Sequence, residues 1–173
     1  MNLLLCVDPG LANIGSVVVE LPHGNLLEMH HHSTERIDRR VPWRHSDDKA
    51  RRVAECARFY SDIIKRLDIR KCAAELPSGG APNSQAACDL AYAAACLVSV
   101  LSIHEVAVEW YTAREVKKAA TGRSGASKPQ VMLAIEEIYP QMAHMFPAKD
   151  KREHVCDAAA VWLAARDGNL AKL

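Results

Sequence analysis

The sequence has few aromatic residues and no excess of charge of either sign. Aromatic residues make up 5% of the 173 residues, and 22 Lys and Arg against 21 Asp and Glu leave a formal net charge of +1. Composition by itself therefore does not indicate a nucleic-acid-binding protein. The 49% of hydrophobic and 25% of charged residues exclude a disordered chain and are typical of a globular protein. We expect a single domain over residues 1–173, since two would be small for this length.

Further features are missing. We find no apolar run approaching the ~20 residues that span a bilayer, and no basic start with a small-residue cleavage site at the N-terminus. We therefore expect a cytoplasmic protein. The cysteines form no C-x-x-C pair, so we expect small buried side chains rather than a zinc site or disulfides. They are Cys6, Cys56, Cys72, Cys88, Cys96 and Cys156.

The opening stretch places a carboxylate at the end of a buried strand. Leu3 to Val7 is an apolar run of strand length, and Pro9-Gly10 cannot extend it, so Asp8 lies where the strand leaves the core. An Asp that begins a turn would explain this pattern. The carboxylate becomes a candidate site residue only if other acids converge on it.

Apolar periodicity and capping signals predict an α/β fold. We predict strands at 3–7, 14–20, 26–33, 71–75 and 105–110, and helices at 47–67, 83–102, 112–120, 127–138 and 151–166. Ser46, Asn83 and Asp150 are the expected N-caps of three helices, and Thr112 and Ser127 open capping boxes. The helix after Asn83 is expected to be buried on most sides. The first three strands form an antiparallel meander, and the whole is a mixed five-stranded sheet flanked by helices on both faces.

The run His30-His31-His32 lies at the end of the third predicted strand. Successive strand residues point to opposite faces, so these imidazoles cannot all bind one metal ion. We expect surface histidines.

Two further acidic positions are candidates, and the first repeats the pattern of Asp8. Glu75 ends the fourth predicted strand, and His154 and Asp157 share one face of the last helix. Each has an ordinary explanation alone, such as an acid near a helix start. If they converge, oxygen ligands and one imidazole would suit hard divalent cations, and two magnesium ions could support phosphodiester cleavage. Together they predict a metal-dependent nuclease.

Basic residues are clustered although the net charge is small. Residues 36–52 contain seven Lys or Arg against three acids, and residues 114–128 contain five against one. Such clusters can bind phosphate or form a solvated face. The loop Thr121 to Ala126 also offers backbone N–H groups to phosphate oxygens.

These motifs resemble the RuvC-type Holliday-junction resolvases of the ribonuclease-H-like superfamily. The resemblance depends on Leu-Cys-Val-Asp8-Pro-Gly, on Ala-Ala-Glu75, and on His154-Val-Cys-Asp157-Ala near the end. The segment from Arg114 to Val131, with its glycine-bearing loop, resembles the stretch before the family's last acidic helix. The order, spacing and length fit over nearly the whole chain.

The resemblance implies a homodimer in which each subunit nicks one of two opposite strands of a four-way junction. Asp8, Glu75 and Asp157 would be the catalytic, metal-binding carboxylates, with His154 where the family has Asp or His. Two Mg²⁺ ions per site are implied, with Mn²⁺ as a substitute. Branched DNA is the expected partner, together with branch-migration or phage recombination proteins.

The resemblance also implies basic residues close to the scissile strand. Lys117 and Lys128 match those positions, with Lys118 as an alternative to Lys117, and either could hold phosphate or balance charge in the transition state. Arg114 and Arg123 are further expected DNA contacts.

The chain departs from the family at two places. Residues 76–82 are small where the family has a bulky residue, and the basic region 36–52 is longer than expected, which would suit a phage or plasmid enzyme. The alternatives are a nuclease for flaps or RNA–DNA hybrids, or a non-catalytic protein that binds branched DNA. An actin-like nucleotide-binding domain is disfavoured, because the chain has no room for two lobes.

Overall fold

The computed structural model describes residues 2–38, 40, 42–77, 83–148 and 151–173. One five-stranded sheet runs through the protein in the order β3-β2-β1-β4-β5. The strands are β1 (Leu3–Asp8), β2 (Asn13–Glu20), β3 (Asn25–Ser33), β4 (Lys71–Leu76) and β5 (Ala107–Thr112). β1, β2 and β3 form an antiparallel meander, whereas β4 and β5 run parallel to β1. The predicted mixed sheet is confirmed.

Helices cover both faces of this sheet. They are α1 (His45–Leu67), α2 (Ser84–Ile103), α3 (Ala113–Thr121), α4 (Lys128–Ile138), α5 (Arg152–Ala165) and α6 (Asn169–Lys172), with a 3-10 turn at Pro140–Met142. One hydrophobic cluster lies between the sheet and α1 and α2, and a second lies between the sheet and α3, α4 and α5. The prediction of helices on both faces is therefore confirmed.

The alternation of side chains along β1 decides toward which face of the sheet each residue points. Leu5 and Val7 pack toward α1 and α2, whereas Leu4 and Cys6 pack toward α5. The central strand is buried on both faces, which explains its continuous apolar run. By the same alternation Asp8 follows Cys6 and lies on the α5 face.

Three predicted helix starts are confirmed by side-chain caps. The Asn83 side chain accepts the backbone N–H of Ala86 at 2.9 Å. Thr112 and Glu115 bond reciprocally at the start of α3, and Gln130 accepts the backbone N–H of Ser127 at 2.9 Å at the start of α4. These caps satisfy N–H groups that have no partner within the helix.

Two other expected helix starts and one strand differ from the prediction. α1 begins at His45 with Arg44 at the N-cap position, so Ser46 is inside the helix and does not cap it. The expected cap Asp150 lies outside the described residues, and Lys151 stands at the N-cap of α5. β5 begins at Ala107 rather than at residue 105, because Glu105 has a φ of 55° that a strand cannot contain.

Helix α2 is more exposed and more apolar than expected. By length and composition alone its 20 residues could cross a membrane, with a mean hydropathy of 1.9, so the expectation that no run approaches this length was wrong. A core helix of a soluble protein passes the same test, and one such helix is weak evidence for a membrane span. Only five residues of α2 are buried, Ala93, Cys96, Leu97, Val100 and Leu101, so the expectation of a helix buried on most sides was wrong as well.

The cysteines are all free thiols. Five are buried as expected, whereas Cys88 is exposed on α2 and corrects that expectation. Burial raises the pKa of the Cys6 thiol well above its usual range, as it does for Cys72. These buried thiols are small core residues, in agreement with the prediction of no disulfides.

Candidate active site

Helix α5 approaches the sheet at a glycine. Gly15 of β2 faces α5, and a Cβ at this position would lie 1.8 Å from the carbonyl oxygen of His154. Any side chain at residue 15 would therefore push the first turn of α5 away from the sheet. The close approach brings the start of α5 beside the end of β1, where Asp8 lies.

The two strand-end carboxylates lie side by side. Val7 of β1 pairs with Ala74 of β4 in parallel register, so the next residues along, Asp8 and Glu75, are neighbours. Ala73 packs on the α5 side of the sheet, and Glu75 is two residues further along the same strand. Asp8 and Glu75 therefore emerge on the same face, toward α5.

His154 makes a direct contact with Asp8. Its Nδ1 lies 3.1 Å from Asp8 Oδ2, and both side chains are largely buried, at 25% and 21% exposure. The hydrogen bond to Asp8 raises the pKa of His154, although burial opposes this. The contact joins α5 to β1 and confirms that these two predicted site residues meet.

Glu75 and Asp157 are held in an unfavourable electrostatic environment. Burial and the charges of Asp8 and Asp157 raise the pKa of Glu75 to about 7. Burial and the charge of Asp8 likewise raise the pKa of Asp157 to about 7. Burial and the repulsion between like charges both favour the neutral acid unless a cation is present. The three carboxylates therefore form one interacting acidic cluster.

This acidic cluster is spread out. Within the described ranges, no three His, Cys, Asp or Glu side chains are gathered closely enough to enclose an ion. The charges of Asp8, Glu75 and Asp157 still act on one another, as the raised pKa values of Glu75 and Asp157 show. The donor set of three carboxylates and the His154 imidazole nevertheless suits a hard divalent cation. A bound cation would remove the repulsion that raises the two pKa values.

Two lysines lie near these acids. The positive charges of Lys117 and Lys128 lower the pKa of Glu75. Burial opposes the charge of Lys128, but its bond to Glu153 and the charges of Asp157 and Asp8 raise its pKa overall. The structure thus places both lysines within electrostatic range of the carboxylates.

The three other predicted basic residues point elsewhere. Lys118 lines a cavity of about 400 Å³ between α3 and the end of α5, together with Tyr111 and Arg166. Arg123 lines a separate cavity of about 340 Å³ between α3 and α4. Arg114 is exposed at the start of α3. Since consecutive helical residues are turned by about 100°, only one of Lys117 and Lys118 can face the acids, and the structure places Lys117 there.

Sequence reasoning missed three residues of this region. Glu153 binds Lys128 and adds negative charge that raises the pKa of Asp157. His31 stacks on His154 with ring centroids 5.9 Å apart, and its Nε2 lies 3.1 Å from Asn13 Oδ1. Strand alternation was the available signal, because it places His31 on the opposite face from His30 and His32.

The histidine run is not a surface feature. His32 stacks on Phe59 with centroids 4.8 Å apart, and His30 contacts the same ring edge-on at 6.3 Å. All three imidazoles are partly buried, which corrects the expectation of surface histidines. The conclusion that they cannot bind one ion together agrees with their opposite faces.

The basic region 36–52 is largely paired with nearby acids. Arg40 contacts Asp38, and Arg44 contacts Asp47 at 2.7 Å. Arg52 is 2% exposed and donates its Nε–H to Thr34 Oγ1 at 2.8 Å. Among the described residues, much of the charge of this cluster is therefore balanced locally by acids rather than displayed as one unpaired basic patch.

The sheet order and the acidic edge define the protein as a ribonuclease-H-like nuclease fold with a candidate metal site. Among solved structures, Thermus thermophilus RuvC in complex with Holliday junction substrate has a TM-score of 0.73 at 21% identity, over 95% of this chain and 92% of that chain. The yeast mitochondrial Holliday junction resolvase Ydc2 has a TM-score of 0.61 at 9% identity, over 98% and 80% of the two chains.

Sequence comparison gives the family. The family described as crossover junction endodeoxyribonuclease RuvC matches residues 4–165. Crossover junction endodeoxyribonuclease RuvC of Salinibacter ruber (strain DSM 13855 / M31) is 31% identical over 136 residues, which cover 79% of this chain and 72% of the relative. The chain therefore belongs to the RuvC family, whose members are divalent-metal-dependent nucleases. The resemblance inferred from the motifs is confirmed.

Proposed function

We propose that this protein resolves four-way DNA junctions by metal-dependent nicks on two opposite strands. The convergence of Asp8, Glu75, His154 and Asp157 at one edge of the sheet is the observation that carries the proposal. Three separate elements, β1, β4 and α5, supply these side chains. A RuvC relative of the same fold is bound to a Holliday junction substrate, which supports branched DNA as the substrate here.

Two divalent ions per site are the proposed cofactors, Mg²⁺ with Mn²⁺ as a substitute. Asp8, Glu75, Asp157 and His154 would hold them. The mutual repulsion that raises the pKa of Glu75 and Asp157 to about 7 is an observation in favour, because divalent cations relieve such repulsion. When bound, the ions would activate a water molecule and stabilise the leaving oxygen.

The protein side chains around the acids would bind and orient the DNA strand. Lys117 and Lys128 carry positive charge next to the acidic cluster, where a phosphate would otherwise be repelled. Lys128 is 58% exposed and is bound to Glu153, so an incoming phosphate would compete with that carboxylate. Such an exposed ion pair contributes little stability and is readily exchanged. Lys128 would thus move from Glu153 to the scissile phosphate.

A homodimer would bring two such sites to one junction. Opposite strands of a junction are related by two-fold symmetry, which a symmetric dimer matches. Helix α2 offers the surface, because it presents large exposed apolar side chains to solvent. Those residues are Leu90, Tyr92, Val98 and Ile103, at 37%, 47%, 45% and 78% exposure. Light scattering should give a molar mass of twice the 19.0 kDa chain mass. Tyr92→Glu should lower the measured mass toward that of a single chain.

A cleavage assay tests the proposed activity. The protein would be incubated with Mg²⁺ or Mn²⁺ and each of five substrates, with Asp8→Asn as the control. The substrates are an immobile four-way junction, a junction with a mobile core, a flap, an RNA–DNA hybrid and a linear duplex. Paired nicks on opposite junction strands, absent in the variant, are expected. Equal cutting of flaps or hybrids would instead indicate a broader nuclease. Binding without metal-dependent cutting of any substrate would contradict the proposal and leave a non-catalytic binding protein.

A further inference from the structure

His31 is the one member of the histidine run that faces α5. It pairs with Gly15 across β2 and β3, and so lies beside the glycine that allows α5 to approach the sheet. Its ring is tilted by 27° from the ring of His154, with centroids 5.9 Å apart. This is an offset stack within the usual distance range for paired aromatic rings. His31 therefore stacks on the ring of His154, whereas Asp8 contacts the ring nitrogen Nδ1.

The His31 ring is itself held by a neighbour on the same sheet. Its Nε2 lies 3.1 Å from Oδ1 of Asn13, which begins β2. Asn13 pairs with Ser33 in the ladder, so the two strands fix the distance between the amide and the imidazole. A chain of contacts thus runs from Asn13 through His31 to His154 and ends at Asp8.

A single hydrogen bond does not fix an imidazole ring. The bond from His154 to Asp8 sets the direction of Nδ1, but the ring plane can still turn about that direction. A flat surface packed against the ring restricts this rotation, and His31 supplies that surface. The orientation of the second nitrogen, Nε2 of His154, is then determined by the stack.

We propose that His31 is a positioning residue that fixes the ring plane of His154, with Asn13 holding His31 in place. The inference rests on the proposed function, in which His154 is a metal ligand. Removing a residue that orients a metal-binding histidine typically lowers metal affinity or activity by about 10–100-fold. His31 touches neither ion nor substrate in this role and acts only through His154.

The test compares three variants with a matched control. His31→Ala removes both the stack and the bond to Asn13, His31→Phe keeps a flat ring but loses that bond, and Asn13→Ala removes the contact that Asn13 makes with the His31 ring. His30→Ala is the control, since it removes the same residue type from the same strand on the opposite face. Mn²⁺ binding is measured by calorimetry, and thermal unfolding is measured in EDTA. NMR of the ¹⁵N-labelled imidazoles reports the His154 ring without metal.

The expected result is a weaker Mn²⁺ affinity in His31→Ala, by about 10-fold, with an unchanged melting temperature and a broadened or shifted His154 imidazole signal. His31→Phe should recover most of the affinity, Asn13→Ala should be intermediate, and His30→Ala should behave as wild type. Wild-type Mn²⁺ affinity and an unchanged His154 signal in His31→Ala would overturn the inference. So would a loss of affinity that merely follows a loss of stability.

The Asp157→Asn variant separates this inference from the proposed function. If Asp157→Asn loses Mn²⁺ binding while His31→Ala binds normally, the metal site stands and only the role of His31 fails. If neither wild type nor any variant binds Mn²⁺, the proposed metal site itself fails. In that case the NMR signal of His154 still decides whether His31 orients the ring.

Discussion

Nδ1 of His154 lies 3.1 Å from Oδ2 of Asp8, although 146 positions separate the two residues in the chain. The contact joins the end of the first strand to the first turn of the last long helix. When Nδ1 carries the proton and donates it to Asp8, Nε2 keeps its lone pair and can bind a cation. One hydrogen bond therefore joins two distant parts of the chain and would leave Nε2 of His154 free for the proposed metal ion.

Asp8→Asn should abolish cleavage while preserving junction binding. The amide keeps the shape of the side chain but loses the charge that would hold a cation, so the cleavage rate should fall by about 10²–10³-fold or more. Junction affinity should be unchanged or tighter, because one source of phosphate repulsion is gone. Single-turnover cleavage and gel-shift titration on the same junction measure the two effects. Parallel loss of binding and cleavage in a folded variant would contradict the assignment.

The end of β1 and the caps at Asn83, Thr112 and Ser127 were predictable because their causes are local. Asp8 ends β1 before Pro9 and Gly10, whereas β4 runs one residue past Glu75 to Leu76. The capping boxes at Thr112 and Ser127 satisfy N–H groups within one turn. In each case the residues that cause the strand or helix to end or begin lie within a few positions of it in the sequence. Spacing on α5 likewise predicted that His154 and Asp157 share a face.

Contacts between distant elements were not predictable in this way. Strand alternation separates His31 from His30 and His32, but it does not indicate a stack on His154, because that contact depends on how closely α5 approaches β2. The same reasoning explains α2, whose apolar composition suggested burial although the protein leaves much of this helix exposed. Composition describes what a helix can bury, whereas packing decides what it does bury.

Asp157→Asn should stabilise the metal-free protein at pH 8. The pKa of Asp157 is raised from 3.8 to about 7, so the folded protein holds more protons than the unfolded chain between these values. Stability therefore falls as pH rises through that window. The raised pKa of His154 acts in the same direction. Removing the Asp157 charge should add about 1–3 kcal/mol at pH 8.

Thermal unfolding in EDTA measures this effect across the pH range. The difference between Asp157→Asn and wild type should shrink as the pH falls from 7 toward 4 and should vanish only below the unfolded-state pKa of 3.8, where the carboxyl is protonated in both states. Asp167→Asn is the matched control, because Asp167 lies just beyond the same helix with its side chain 87% exposed. A wild-type melting temperature for Asp157→Asn at pH 8 would show that the acids do not repel one another.

Lys117→Ala should slow cleavage, whereas Lys118→Ala should not. Lys117 lies close enough to Glu75 to lower its pKa, while Lys118 faces a cavity on another side of α3. The loss of one phosphate contact should reduce affinity modestly and make the salt dependence of binding shallower by about one charge. Cleavage rates and junction affinities at several salt concentrations test both variants. The opposite ranking would assign the DNA contact to Lys118.

Gly15→Ala should separate α5 from the sheet and inactivate the enzyme. The added Cβ would lie 1.8 Å from the His154 carbonyl oxygen and 2.9 Å from the Val155 backbone nitrogen, and neither can move without shifting the helix. Overpacking against backbone should cost about 3 kcal/mol or more, or roughly 6–12 °C in melting temperature for a chain of this size. Because the shift moves His154 from Asp8, cleavage should fall even at temperatures where the variant remains folded.

Gly125→Ala is the matched control for this effect. A Cβ at Gly125 meets nothing within 4 Å, so the substitution adds the same methyl group without a clash. Circular dichroism melting and cleavage at 20 °C would compare the two variants with wild type. A Gly15→Ala protein with normal stability and activity would mean that α5 does not need to lie so close to β2. The contacts of His154 with His31 and with Asp8 would then not depend on the close packing of α5 against Gly15.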